Sequence, residues 1–345
     1  MQKSKFKIYF DTSVLNYGHV VRGIGFYTKN LLKSLSEIDV IELVKDPKEA
    51  EIVHIPYFDL FFNTLKLIEG KKNVVTIFDT IPLIYPKEYP PGVRGKINLF
   101  KQKLALKKVD AVITISETSK KDIVRYLDAP AKKIFPIHLA ASPAFRKLAT
   151  GNWQLETTRH FGLPERFVLY VGDVNYNKNL ITLADACCKA DIPLVVVGRQ
   201  AANLEIDLNH IENRSFTELL NKYGKNKNIL RIGYLPSEDL VKIYNLATVY
   251  CQPSLYEGFG IPVLEAQACG VPVVASRTQA LVEIAESSCL FVDNPKDSNE
   301  LGRKIVQIIK NETFKEKLVA EGFKNIEKYS WEKTRDKTVE VYKSC

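Results

Sequence analysis

The chain has little of what metal and redox chemistry need. Its six cysteines, Cys187, Cys188, Cys251, Cys269, Cys289 and Cys345, stand at no spacing that matches a CxxC zinc or redox pattern. Free buried thiols in a reducing compartment are the expectation. Five histidines, His19, His54, His138, His160 and His210, are scattered without metal-ligand spacing, and no metal site is expected. No stretch reaches the roughly 18 to 20 uncharged apolar residues needed to cross a bilayer. The opening MQKSKFKIYFDTS turns charged too soon for a signal peptide. A cytoplasmic protein, at most peripheral at the inner membrane face, is expected. Low-complexity segments and short repeats are also lacking, which excludes solenoid and fibrous architectures.

What is present is an ordinary globular composition, 46% apolar and 26% charged, in a chain of 345 residues. That length exceeds what one core usually supports, so two domains are expected. The net charge of +9 is unevenly placed: residues 1 to 140 carry 23 Lys and Arg against 15 Asp and Glu, and the remainder 26 against 25. A basic N-terminal half fits contact with something anionic, such as a membrane surface or a phosphorylated acceptor, and fits solvated surface lysine equally well. No nucleic-acid-binding motif accompanies the charge, so a nucleic-acid partner is not expected.

Short β-branched and aromatic runs alternate with stretches of helical period, the pattern of parallel sheets built from βαβ units. In the first half the strand candidates are 7–10, 41–44, 51–55, 74–78, 111–115 and 133–137, with helices at 24–35, 96–108 and 117–127. From about Ala140 to Glu165 the pattern falters, and this stretch reads as the connection between domains. A second series follows, with strands at 167–172, 193–198, 228–233, 248–253 and 271–276. Helices are expected near 179–190, at 237–246, from about 262, and at 297–310, 313–328 and 331–342. The fold class is therefore α/β, two doubly wound units whose ligands bind at the carboxyl ends of the strands. Two such units facing one another imply a cleft between them.

The most informative segment is SLYEGFGIPVLEAQACGVPVVAS, residues 254 to 276. Gly258, Gly260 and Pro262 keep Glu257 in a tight loop, while Glu265 falls in the first turns of the helix beyond. Such a loop aims backbone N–H groups and a helix N-terminus at one spot, where a diphosphate would fit. A carboxylate there can accept hydrogen bonds from sugar hydroxyls, and a second can do so for a ribose diol. Elsewhere, Gly23 and Gly25 in RGIGFYTKNLL lack the third glycine, the strand spacing and the ribose-binding acid of a dinucleotide fingerprint. The helix with Lys96, Lys101, Lys103, Lys107 and Lys108 beside Ile97, Phe100 and Leu104 reads as core-facing with a solvated lysine face; an anionic membrane is the alternative.

The ordered run Glu-Gly-Phe-Gly-Ile-Pro-Val-Leu-Glu-Ala, before Cys-Gly-Val-Pro-Val-Val, resembles the E-x7-E signature of the GT4 family of retaining glycosyltransferases with the GT-B fold. The resemblance continues in YVGDVNYNKNL (170 to 180), in VVTIFDTIPLIYP (74 to 86), in the Gly23 and Gly25 loop, and in YSWEKTRDKTVEVY (329 to 342), similar to the family's closing helix. It implies two Rossmann-like domains: an acceptor-side domain of residues 1–145 with 330–345, and a nucleotide-sugar domain of 146–329. It implies Glu257, Lys178 and Asp79 as catalytic residues. Donor binding is implied for Gly23, Gly25, Gly172, Lys178, Arg199, Tyr234, Leu235, Glu257, Gly258, Phe259, Gly260 and Glu265. Phe78 stands where relatives often have histidine and Asn177 where many have arginine, with Arg199 placed to compensate. The implied reaction moves a sugar, with retention and without metal or cofactor, from a nucleoside diphosphate sugar to a glycan or lipid-linked hydroxyl acceptor. A nucleotide-sugar-binding relative without catalysis, and an epimerase or phosphorylase-like enzyme of the same architecture, are the alternatives.

Overall fold

The computed structural model describes residues 5–16, 23–202 and 206–345. The chain forms two compact units, residues 1–140 with 329–345, and residues 141–328. The strands of each unit pair in parallel throughout.

The first unit begins with β1 (Phe6–Phe10), α1 (Gly23–Ser36), β2 (Ile41–Leu43), β3 (Ile52–Ile55) and β4 (Lys72–Thr76). It continues through the single turn α2 (Ile81–Ile84), α3 (Gly92–Leu106), β5 (Ala111–Thr114), α4 (Glu117–Leu127) and β6 (Ile134–Pro136). The strand order is β2-β1-β3-β4-β5-β6. Strands β3 and β5 are buried along their whole length, as expected of a parallel sheet covered on both faces. Helix α4 starts where Ser116 Oγ accepts the Ser119 amide at 2.9 Å, an N-cap that satisfies one of the orphan donors.

The second unit contains α5 (Trp153–Phe161), β7 (Val168–Val171), α6 (Leu180–Ala190), β8 (Leu194–Val197), α7 (Arg214–Tyr223), β9 (Ile229–Ile232), α8 (Ser237–Leu246) and β10 (Val249–Gln252). It ends with α9 (Ile261–Ala268), β11 (Val273–Ser276), α10 (Gln279–Ala285), β12 (Leu290–Val292), α11 (Ser298–Lys310) and α12 (Glu312–Ile326). Its sheet runs β12-β11-β10-β7-β8-β9. The last helix, α13 (Trp331–Ser344), returns to the first unit and packs on α1, where Trp331 meets Phe26 edge-on at 5.6 Å. Its Tyr342 hydroxyl lies 2.5 Å from Nδ1 of the buried His54, whose Nε2 is 2.8 Å from Thr76 Oγ1. Burial lowers the His54 pKa to about 3, so this network holds a neutral imidazole.

Every strand expected from the sequence forms, most within a residue or two. The exception in register is β4, which ends at Thr76 rather than residue 78 and leaves Phe78 and Asp79 in the following loop. Five elements depart from the reading, the single turn α2 among them. Helix α5 fills the stretch read as connection, burying only Thr157 and so carrying no apolar stripe to announce it. Helices α7 and α10 and the three-residue β12 are short and flanked by irregular chain.

The lysine-rich helix is a correction. Ile97, Phe100 and Leu104, read as core-facing, are exposed, and α3 instead buries Gly95, Gln102 and Leu106. The physical reason is polar: Gln102 Oε1 accepts the Thr64 and Leu65 amides at 3.1 and 3.2 Å and its Nε2 donates to the Asp59 carbonyl. Asn98 Nδ2 donates to the Phe61 carbonyl at 2.9 Å. These bonds turn the amide-bearing face inward. All six cysteines are free thiols, four of them buried. Among the described residues no helix is long and apolar enough to cross a membrane.

Candidate functional site

In a doubly wound sheet the loops that can converge on a ligand are those at the carboxyl ends of the strands, and they part where the strand order reverses. In the second unit that point lies between β7 and β10: β8 and β9 extend the sheet on one side, β11 and β12 on the other. Lys178 lies in the turn after β7 and Glu257 in the loop after β10. Their side chains meet, with Lys178 Nζ donating to Glu257 Oε1 at 2.7 Å and Oε2 at 2.9 Å.

The pair is set in a polar cage. Glu257 is buried, with 7% of its side chain exposed, against 25% for Lys178. Its Oε1 also accepts from Gln252 Nε2 at 2.8 Å and Ser254 Oγ at 2.7 Å. Tyr250, whose hydroxyl is held protonated by burial, donates to Gln252 Oε1. That bond fixes which way the amide points, so Nε2 faces Ser254 and Glu257. The two loops are stitched together as well. Asn177 accepts the Leu255 amide through its carbonyl at 2.7 Å, and its Nδ2 donates to the Tyr256 carbonyl at 3.1 Å. Asn179 Nδ2 donates to the Pro253 carbonyl at 2.9 Å. Asn177 is buried, so where sequence reasoning weighed a missing phosphate contact, the side chain instead holds the Glu257 loop.

Gly260 ends that loop with φ +123°, a region closed to most L residues, and a Cβ there would lie 2.6 Å from Leu281 Cδ2. Phe259 is buried beside it. Helix α9 starts immediately after, carrying Glu265 in its second turn. The Glu265 carboxyl is buried and accepts from the Tyr244 hydroxyl through Oε2 at 2.9 Å. Burial raises its pKa to about 7, although the Tyr244 hydrogen bond opposes the rise.

The remaining candidates follow the same edge. Gly172 closes β7, and the strand ends approach so tightly that a Cβ on Gly198, after β8, would sit 2.1 Å from the Gly172 carbonyl oxygen. Arg199, next along, is exposed. Tyr234, exposed, and Leu235, half-buried, form the turn after β9. Gly258 lies buried within the Glu257 loop. Asp79, Gly23 and Gly25 belong to the first unit. Asp79 Oδ1 accepts the Ile81 amide at 3.0 Å, opening α2, and Phe78 packs edge-on against Tyr27 at 5.1 Å. Gly23 and Gly25 open α1; Arg22 of the same segment lies outside the described residues. Sequence reasoning missed Gln252, Ser254, Tyr244 and Tyr250. The available signal was a glutamine ending an otherwise apolar strand, TVYCQP, one step before the glycine-rich loop.

Residues 157–325 match the family Glycosyl transferases group 1. The chain is 27% identical over 280 residues to the O-antigen chain mannosyltransferase B of Escherichia coli, covering 79% of this chain and 70% of that protein. It is 26% identical over 277 residues to the serotype-specific mannosyltransferase WbdA of the same organism. That match covers 79% of this chain and 33% of WbdA. In structure it resembles Anabaena HepE, solved in complex with UDP and glucose, with a TM-score of 0.74 at 14% identity over 99% of this chain and all of that one. With its two parallel sheets and its group 1 domain over residues 157–325, the chain is a glycosyltransferase of the GT-B fold.

Proposed function

We infer that the second unit binds a nucleoside diphosphate sugar and that the enzyme moves its hexose, with retention and without a metal, to a hydroxyl of a glycan or lipid-linked saccharide. The observation that carries this reading is the Lys178 and Glu257 pair, buried in a polar cage at the point where the strand order reverses. In this reading Glu257 accepts a hydrogen bond from a hydroxyl of the sugar and Glu265 from the ribose. Lys178 and the N–H groups around Gly258 to Gly260, at the N-terminus of α9, face the diphosphate. As the bond to the sugar loosens, the diphosphate gains negative charge; a fixed ammonium and fixed amide dipoles stabilise that charge without reorganising. Tyr234 and Leu235 lie along the same edge, where the base would rest, and Arg199 supplies a second cation. The mannosyltransferases among the relatives make mannose the first sugar to try. A peripheral contact of the basic first unit with an anionic membrane belongs to the same reading.

The test is calorimetry with UDP, GDP, ADP and dTDP, followed by incubation with the matching sugar nucleotides. One nucleotide should bind, and Lys178→Ala should weaken it by about ten- to a hundredfold, as loss of a charge-assisted contact does. If none of the four binds, the reading fails.

A further inference from the structure

Helix α3 is inside out by the usual rule. Its polar Asn98 and Gln102 face the protein, while Val93, Ile97, Phe100 and Leu104 are 79%, 51%, 64% and 46% exposed. At 3.6 residues per turn these four side chains fall within an arc of about 60°, a stripe about 16 Å long. Single exposed apolar residues need no explanation, but a continuous stripe does.

The charges on the helix itself are all of one sign. From Tyr89 to Val109 there is no Asp or Glu, against Arg94, Lys96, Lys101, Lys103, Lys107 and Lys108. On the helical wheel Arg94, Lys101 and Lys108 flank one side of the stripe and Lys96, Lys103 and Lys107 the other. Lys103 is paired with Asp128 at 2.9 Å; none of the other five makes an ion pair among the described residues. An apolar seam between two basic borders is the form that enters an anionic lipid interface, the seam reaching the acyl boundary and the cations staying with the phosphates. A second copy of this chain would set basic border against basic border.

We propose that α3 docks this protein on the surface of a bilayer containing anionic phospholipid, through Val93, Ile97, Phe100 and Leu104 and the cations on either side. The inference rests on the membrane contact of the proposed function, but vesicle binding is measured without sugar transfer, so it can fail while the donor reading stands.

The experiment is co-flotation of the full chain with vesicles of phosphatidylcholine alone or with a third of phosphatidylglycerol, at low and high salt. Binding is expected only to the anionic vesicles and is expected to weaken with salt. Ile97→Ser/Phe100→Ser should reduce it at least about tenfold. Lys96→Gln/Lys101→Gln should reduce it about 25-fold, at about fivefold per cation. All four positions are exposed, so the far-UV circular dichroism and melting midpoint of both variants should match the parent, which separates docking from folding. No flotation with anionic vesicles, flotation untouched by the Ile97 and Phe100 changes, or a dimer in light scattering that those changes abolish would overturn the proposal.

Discussion

The buried carboxyl of Glu265 lets one substitution act on stability and on binding in opposite directions. Its pKa stands at about 7 where an exposed glutamate has 4.5. Between those values the unfolded chain has released a proton that the folded unit still holds, so the folded state binds more protons and loses stability as pH rises. At about 1.4 kcal/mol per unit, the shift costs the ligand-free protein about 3 kcal/mol by pH 8 and nothing below pH 4.5. Glutamine has nearly the same shape, keeps an oxygen for the Tyr244 hydroxyl and does not titrate. Glu265→Gln should therefore match the parent near pH 4.5 and melt about 6–12 °C higher at pH 8, at about 2–4 °C per kcal/mol for a unit of this size. The chain has two tryptophans, Trp153 in the second unit and Trp331 in the first, so a Trp331→Phe background makes fluorescence report the second unit alone. If Glu265 receives the ribose, the same variant should bind the nucleotide about tenfold more weakly, since a charged acceptor has been replaced by a neutral one. A stability difference that stays flat from pH 4.5 to 8, or a variant less stable than its parent at pH 8, would refute the reasoning.

Gly260→Ala should lower the melting point of the second unit by about 5–10 °C, because φ +123° is strained for alanine and its Cβ would press on Leu281 at 2.6 Å; a change under a degree would mean that the loop is not held there. The first unit should be acid-labile through His54. With its folded pKa near 3 and an unfolded value of 6.5, the unfolded chain takes up a proton first as pH falls below 6.5. Stability should then drop by up to about 1.4 kcal/mol per unit towards pH 3. Denaturation followed by Trp331 fluorescence in a Trp153→Phe background checks this, and His54→Gln, which carries no such proton, should show a shallower decline over the same range.

What the sequence disclosed follows from how parallel sheets are made. Buried strands such as LVVV and VLYV are apolar throughout, so their positions stand out. Once they are placed, the loops after β7 and β10 must share an edge, which is why Lys178 and Glu257, 79 residues apart, are legible as neighbours. Gln252 and Ser254 were hidden because a polar residue at a strand end looks the same whether it faces solvent or a buried carboxylate. The orientation of α3 was hidden for a related reason. Its periodicity marks an apolar and a polar face, and the default puts the apolar face inside. What reverses the default is a set of hydrogen bonds to residues 37 to 43 positions away, in a loop whose conformation no local pattern fixes.

The cage around Glu257 also defines what the site has left to offer. A carboxylate oxygen has two lone pairs and an ammonium three donors. Oε1 already receives three hydrogen bonds, from Lys178, Gln252 and Ser254, and Oε2 receives one. Oε1 is therefore saturated, whereas Oε2 can accept one more. Lys178, bound to both oxygens, retains one proton to donate. One acceptor and one cationic donor, held side by side, is the complement of a group that presents a hydroxyl next to an anionic oxygen. The junction between a sugar and its diphosphate has that pattern, while a free sugar lacks the anion and a free nucleotide lacks the neighbouring sugar hydroxyl. Because Gln252 and Ser254 keep their bonds to Oε1 throughout, the carboxylate need not move when the ligand arrives. In the proposed reading, selectivity for a sugar-bearing nucleotide would come from preorganisation rather than from rearrangement of the pair.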